Sequence, residues 1–171
     1  MESLLRCLAL AGIIGFVVGA TPPWTPCKVH GKTPLFTPTK VDLNPIGIKS
    51  GSDVVFTIDG VNTAHAVSAG IFDVRVSKKM TIKLPWGGVA TKEIALYSES
   101  KSLCERADCP IPTGDVSFTY VKHIPGYTPP GDYSIKLVAK EEGTNEILMC
   151  LDVEISVSIF KANRKTMIAA S

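Results

Sequence analysis

The sequence predicts an all-β fold, a sandwich of two antiparallel sheets. Three observations predict it. Apolar residues recur with a period of two in at least six segments. Turn signals break the chain between those segments. Fourteen glycines and twelve prolines in 171 residues favour many turns over long helices.

The segments follow in order. A weaker strand covers Lys40 to Leu43. Val54, Phe56 and Ile58 alternate with Val55, Thr57 and Asp59. Phe72, Val74 and Val76 alternate with Asp73, Arg75 and Ser77. Met80, Ile82 and Leu84 alternate with Thr81 and Lys83. Lys92 to Ser102 holds a strand or one short helical turn. Val116, Phe118 and Tyr120 alternate with Ser117 and Thr119. Tyr133, Ile135 and Leu137 alternate with Ser134 and Lys136. Leu151, Val153, Ile155 and Val157 alternate with Asp152, Glu154 and Ser156. Such alternation puts one face of each strand inside and the other in water. Between the strands stand Asn44-Pro45, Lys49-Ser50-Gly51-Ser52, Asp59-Gly60, Pro85-Trp86-Gly87-Gly88, Ile124-Pro125-Gly126, Pro129-Pro130-Gly131 and Glu142-Gly143. No second domain, repeat or low-complexity tract is legible.

Composition narrows the function classes. Hydrophobic residues are 45% and charged residues 20% of the chain, with a mean hydropathy of +0.21. That is a globular composition with enough chain for one core. Eighteen basic and sixteen acidic residues leave a formal charge of +2. So small an imbalance argues against a nucleic-acid binder and gives only weak attraction to anionic membranes.

The first twenty residues read as a secretory signal peptide. Arg6 supplies the positive start, Cys7 to Val18 the apolar run, and Val18-Gly19-Ala20 a small-residue cleavage site after Ala20. The run is shorter than the roughly 20 residues of a membrane span, and Thr21-Pro22-Pro23 follows at once. The expected organisation is residues 1–20 as signal, 21–160 as the folded domain, and 161–171 as a frayed polar tail. Cleavage removes Cys7 and leaves Cys27, Cys104, Cys109 and Cys150. An even set in an oxidising compartment implies disulfides, with three possible pairings. Proximity favours a clip between Cys104 and Cys109, which leaves Cys27 for Cys150. Zinc suits four cysteines without a second close pair poorly, and no metal or cofactor is expected. The Asn-x-Ser/Thr acceptor pattern is absent.

Catalytic patterns are missing. None of His30, His65 and His123 sits in a Ser-His-Asp setting, and no nucleophile elbow, zinc-protease motif or phosphate loop occurs. Asp152 and Glu154 fall on the solvent face by parity, and His123 lies near a turn, as a surface histidine would. Lys78, Lys79 and Lys83 form a basic cluster that reads as a solubilising surface or as a headgroup contact. The chain is not expected to be an enzyme. Periodicity leaves one question open. The inward faces either mesh into a solid core, as close packing favours, or stand apart around an apolar cavity.

Several motifs together bear on that question. Leu103-Cys104 is followed by Cys109-Pro110-Ile111 and Gly114. Then come Pro125-Gly126-Tyr127-Thr128-Pro129-Pro130-Gly131-x-Tyr133 and Cys150. Upstream lie Cys27, Val41-x-Leu43-x-Pro45 and Gly51-x-x-Val54-x-Phe56-x-Ile58. In order and spacing this resembles the ML lipid-recognition domains across nearly all of residues 24–160. Members include the small sterol carrier of Niemann–Pick type C disease and the phosphatidylglycerol/phosphatidylinositol transfer proteins. The resemblance implies an immunoglobulin-like β-sandwich with lipid held in a cavity between two antiparallel sheets, and the same two disulfides. It implies secretion or delivery to a lysosome or vacuole lumen. The animal sterol carrier has a further small disulfide loop after its first cysteine. Residues 28–43 here hold no cysteine, as in the plant-like branch, so sterol, phospholipid or another lipid stays open.

On that resemblance the expected lipid-binding walls are Val54, Phe56, Ile58, Phe72, Val74, Ile82, Leu84, Ile94, Leu96, Ile111, Phe118, Tyr120, Tyr133, Ile135, Leu137, Leu151, Val153 and Ile155. The segment Cys104 to Ile111 and the Pro125–Gly131 turn are expected to frame a mouth, and Tyr120 or Tyr133 to meet a headgroup through its hydroxyl. The expected partners are a lipid ligand, a membrane touched transiently, and a membrane transporter or receptor. The protein itself is expected to be a monomer. The alternative function is a secreted module that presents a microbial or self lipid to a receptor.

Overall fold

The computed structural model describes residues 21–45, 47–144 and 146–158. The expected signal peptide and the tail at 161–171 lie outside the described residues. The described residues form nine strands, seven of them built on the expected segments: β1 Trp24–Pro26, β2 Phe36–Asn44, β3 Ile48–Lys49, β4 Asp53–Asn62, β5 Gly70–Lys83, β6 Val89–Ser102, β7 Gly114–His123, β8 Gly131–Glu141 and β9 Ile147–Ser158; the short β1 and β3 lie outside those segments. A single 3₁₀ turn, Leu103–Glu105, follows β6. Among the described residues, no helix is long and apolar enough to cross a membrane.

The strands build two sheets. One runs β1-β9-β8-β5-β6, with β3 also on β9, and the other runs β2-β4-β7. Pairing is antiparallel throughout except for the two-residue contact of β3 with β9. Two segments that look separate in the sequence, Phe72 to Ser77 and Met80 to Leu84, join in β5, which ends at Lys83, one residue short of Leu84. Lys92 to Ser102 is strand, the greater part of β6. β5 pairs with β8 only as far as Lys78, whereas its pairing with β6 continues to Lys83. The last turns of β5 and the start of β6 therefore project as a two-stranded hairpin.

The core lies between the sheets, where strand parity puts it. At one end the packing is solid. Phe36 and Phe118 meet edge to face at 5.1 Å, and Val67 bridges Ile111 by a reciprocal pair of backbone hydrogen bonds. Gly60 permits the close approach of β2 to β4, since a Cβ there would lie 2.4 Å from the Phe36 ring. Both disulfides, Cys27–Cys150 and Cys104–Cys109, belong to this half. Asp152 and Glu154 face outward and pair with Lys136 and Lys79.

Candidate functional site

At the other end the sheets stand apart. They enclose an apolar cavity of about 430 Å³. Phe56 of β4 and Tyr120 of β7 face it from the smaller sheet. Val74 and Val76 of β5, Tyr133 and Ile135 of β8, and Ile155 and Val157 of β9 face it from the larger. Leu96 and Tyr97 of β6 both reach it, although neighbours on a strand normally point to opposite faces. A bulge explains this: Val76 pairs with Tyr97 and Ser77 with Ala95, so Leu96 is the extra residue.

The mouth is formed by the chain after β7. Ile124, Pro125, Tyr127, Thr128 and Pro129 line it. Main-chain bonds hold this turn: Gly51 N–H donates to the Ile124 carbonyl at 2.8 Å, and Thr128 N–H to the Pro125 carbonyl at 3.0 Å. The Ser50 hydroxyl donates to the Thr128 carbonyl at 2.7 Å. Tyr127 stands 87% exposed at the rim.

Along one side, β6 and β7, the edge strands of the two sheets, face each other across a polar seam. The Lys122 ammonium donates to the Tyr97 hydroxyl at 2.8 Å and to Glu99 Oε2 at 2.9 Å. Arg106 Nη2 donates to Glu99 Oε1 at 3.2 Å, and its guanidinium lies 4.7 Å from the centre of the Tyr120 ring. The Lys122 hydrogen bond holds the Glu99 carboxyl below the usual carboxylate range, with Tyr97 and the Arg106 charge acting the same way. Burial pulls Lys122 down, but its bonds to Tyr97 and Glu99 outweigh that and raise it. Burial pushes the Tyr120 phenol up.

The expected wall residues divide into three groups. Phe56, Val74, Leu96, Tyr120, Tyr133, Ile135 and Ile155 line the cavity. Val54, Ile58, Phe72, Ile111, Phe118, Leu137, Leu151 and Val153 are buried in the core without lining it. Ile82, Leu84 and Ile94 lie on the projecting hairpin, Ile82 and Ile94 at 42% and 36% exposure. The segment Cys104 to Ile111 does not line this cavity, and Ile111 packs at the closed end. Tyr97, Lys122 and Ile124 line it without having been singled out by the sequence. For Lys122 the signal was available, since the alternation of Phe118 and Tyr120 continues inward to position 122. The two tyrosines also differ. The Tyr133 hydroxyl donates to the Pro129 carbonyl, whereas the Tyr120 hydroxyl is buried with no partner. A larger hollow of about 750 Å³ lies on the outer face, lined by charged groups such as Lys28, Asp73, Arg75 and Lys136. Its polar walls suit water better than an apolar guest.

Comparison with known proteins adds the family. Residues 21–157 match the model of the ML domain. No curated protein matches the sequence. Among solved structures, a Niemann-Pick type C2 protein from Japanese carpenter ant aligns over 80% of this chain and 99% of its own, with a TM-score of 0.52 at 10% identity. Spo0M, the sporulation control protein from Bacillus subtilis, aligns over 70% of this chain and 47% of its own, with a TM-score of 0.46 at 15% identity. At such identities the ant protein supports the fold alone.

Proposed function

The chain belongs to the ML domain family, a family of lipid binders, and from that premise we propose that it is a secreted carrier. It holds one lipid, a sterol or a phospholipid, between its sheets and exchanges it with membranes. The observation that carries this reading is the apolar cavity of about 430 Å³ between the sheets. That volume lies within the roughly 300–1,000 Å³ of small-molecule sites.

The physics suits transport. Each methylene taken from water is worth about 0.8 kcal/mol, so a chain of about fifteen is worth roughly 12 kcal/mol. Apolar walls supply most of this without specific polar bonds. Backbone hydrogen bonds run within each sheet, so a guest entering between sheets breaks no ladder bond. The two disulfides fit an oxidising, extracellular or lysosomal compartment. Membrane contact is assigned to the projecting hairpin, at the cavity's end of the sandwich. Its tip exposes Trp86 at 79% and Val89 at 65%, with Met80 and Ile82 behind and Lys83 and Lys92 alongside. Tryptophan with flanking lysines is the chemistry of a bilayer interface.

Native mass spectrometry and lipid extraction of the purified protein test the carrier reading. Co-purified lipid is expected. A protein that comes out empty and takes up neither a fluorescent sterol nor a fluorescent phospholipid refutes it.

A further inference from the structure

We propose that this cavity selects a single-chain lipid with an anionic head, whose acid group sits against Tyr120 and Lys122. The inference rests on the carrier reading, that one lipid is held between the sheets, and puts a single-chain acid in place of the sterol or two-chain phospholipid. Tyr120 is 3% exposed, and its hydroxyl is buried without a hydrogen-bond partner. Tyr120 belongs to the cavity wall. Buried hydroxyls are nearly always paired, so an unpaired one just behind that wall points to a group the guest supplies as the wall side chains give way. Tyr133, the other phenol in the wall, is already committed to a backbone carbonyl.

Charge selects the kind of group. Among the described residues, the wall contains one ammonium, Lys122, and one imidazole, His123, which pairs with Asp53 outside it, but no carboxylate. Glu99 faces Lys122 from the seam and is shared with Arg106, so two cations answer one carboxylate there. Arg106 Nε is itself buried without a partner. A neutral alcohol head would satisfy the Tyr120 hydroxyl and leave the excess positive charge unanswered. An acid answers both, because its oxygens accept from phenol and ammonium together. The cavity, near the lower end of the small-molecule range, suits one chain. A carboxylate, as in a free fatty acid, and a phosphate monoester, as in lysophosphatidate, share this chemistry.

The experiment uses the delipidated secreted protein loaded with the neutral dye 1-aminoanthracene. Palmitate, palmitoyl lysophosphatidate and hexadecanol compete for it. At least one acid is expected to displace the dye at about tenfold lower concentration than the alcohol, and the tighter acid names the source. Tyr120→Phe and Lys122→Gln are each expected to lower acid affinity about tenfold and so narrow the acid-to-alcohol ratio. Tyr120→Phe breaks no hydrogen bond within the protein, so its Tm should hold or rise, which separates a binding effect from a folding one. Equal affinity for acid and alcohol, or an unchanged ratio in Tyr120→Phe, overturns the inference and leaves the carrier reading intact. If neither the dye nor any of the three lipids binds, the carrier reading itself fails.

Discussion

Phe118→Ala and Leu96→Ala should have opposite effects, because one side chain fills the solid end and the other lines the cavity. Phe118 is 4% exposed and locked edge to face against Phe36. Its truncation leaves a void that the clamped end cannot close, at about 3–5 kcal/mol. For a domain of this size that is roughly a 10–15 °C fall in Tm. Lipid affinity of the folded fraction should barely change, since the ring touches no part of the cavity. Leu96 is 53% exposed. A fully buried leucine contributes about 1.5–3 kcal/mol, so removing a half-buried one costs about 1 kcal/mol of stability. A bound lipid covers the other half. Losing three carbons at about 0.8 kcal/mol each, half of that already counted in the free protein, weakens binding by about 1 kcal/mol, or about fivefold. Urea titration of delipidated protein reads the first quantity and dye displacement the second. If Phe118→Ala loses affinity while keeping its stability, or Leu96→Ala costs several kcal/mol of stability while binding normally, the cavity is not where the packing puts it.

Three further outcomes follow from the same geometry. The Cys27–Cys150 bridge joins residues 123 apart and Cys104–Cys109 joins residues 5 apart. In the chain-entropy relation the paired serine substitutions should therefore cost about 5 and about 2 kcal/mol by urea titration. Equal costs would mean that local packing, not loop closure, sets their worth. Trp86→Ala should leave stability within about 0.5 kcal/mol and dye affinity unchanged, yet slow lipid transfer to anionic vesicles several-fold. Unaltered transfer would remove the hairpin from membrane docking. Glu99 is held below its unfolded value of about 4.3, so its contribution is complete above that pH and fades as pH falls through the folded value. Lipid release should thus accelerate only as pH falls below that unfolded value, and Glu99→Gln should abolish that acceleration in stopped-flow dye release. Release that speeds up between pH 7 and 5 through this residue contradicts the seam.

Most of the fold was legible because alternation records burial directly. Val54, Phe56 and Ile58 or Leu151, Val153 and Ile155 announce which face goes inside. The hairpin shows where that signal fails. Ile82, Leu84 and Ile94 alternate as the core strands do, yet they lie beyond Lys78, where β8 stops pairing with β5, and Ile82 and Ile94 stay 42% and 36% exposed. Alternation records a strand's two faces, and whether a neighbour covers either is settled by tertiary structure. Leu96 was expected in the wall and reaches it by a bulge that no local pattern marks. The split between solid core and cavity was not legible at all. Phe56 and Phe118 are the same residue type at the same parity, and only the separation of the sheets distinguishes them.

The two halves of the sandwich differ in where their local constraints lie. Both disulfides, the Val67–Ile111 bridge and the Phe36–Phe118 pair cluster in one half, where β2 is drawn against β4 over Gly60. Among the described residues, neither disulfide lies in the other half. Its boundary is a proline-rich turn fixed by main-chain bonds to the β3–β4 loop and, along the side, an ion-paired seam of Lys122, Glu99 and Arg106. Parting the sheets there breaks side-chain contacts but no ladder hydrogen bond. Close packing at the clamped end holds the fold, so the open end is free to exchange its filling. A lipid that enters restores the apolar contacts those walls otherwise lack, and folding and loading draw on different halves of one sandwich.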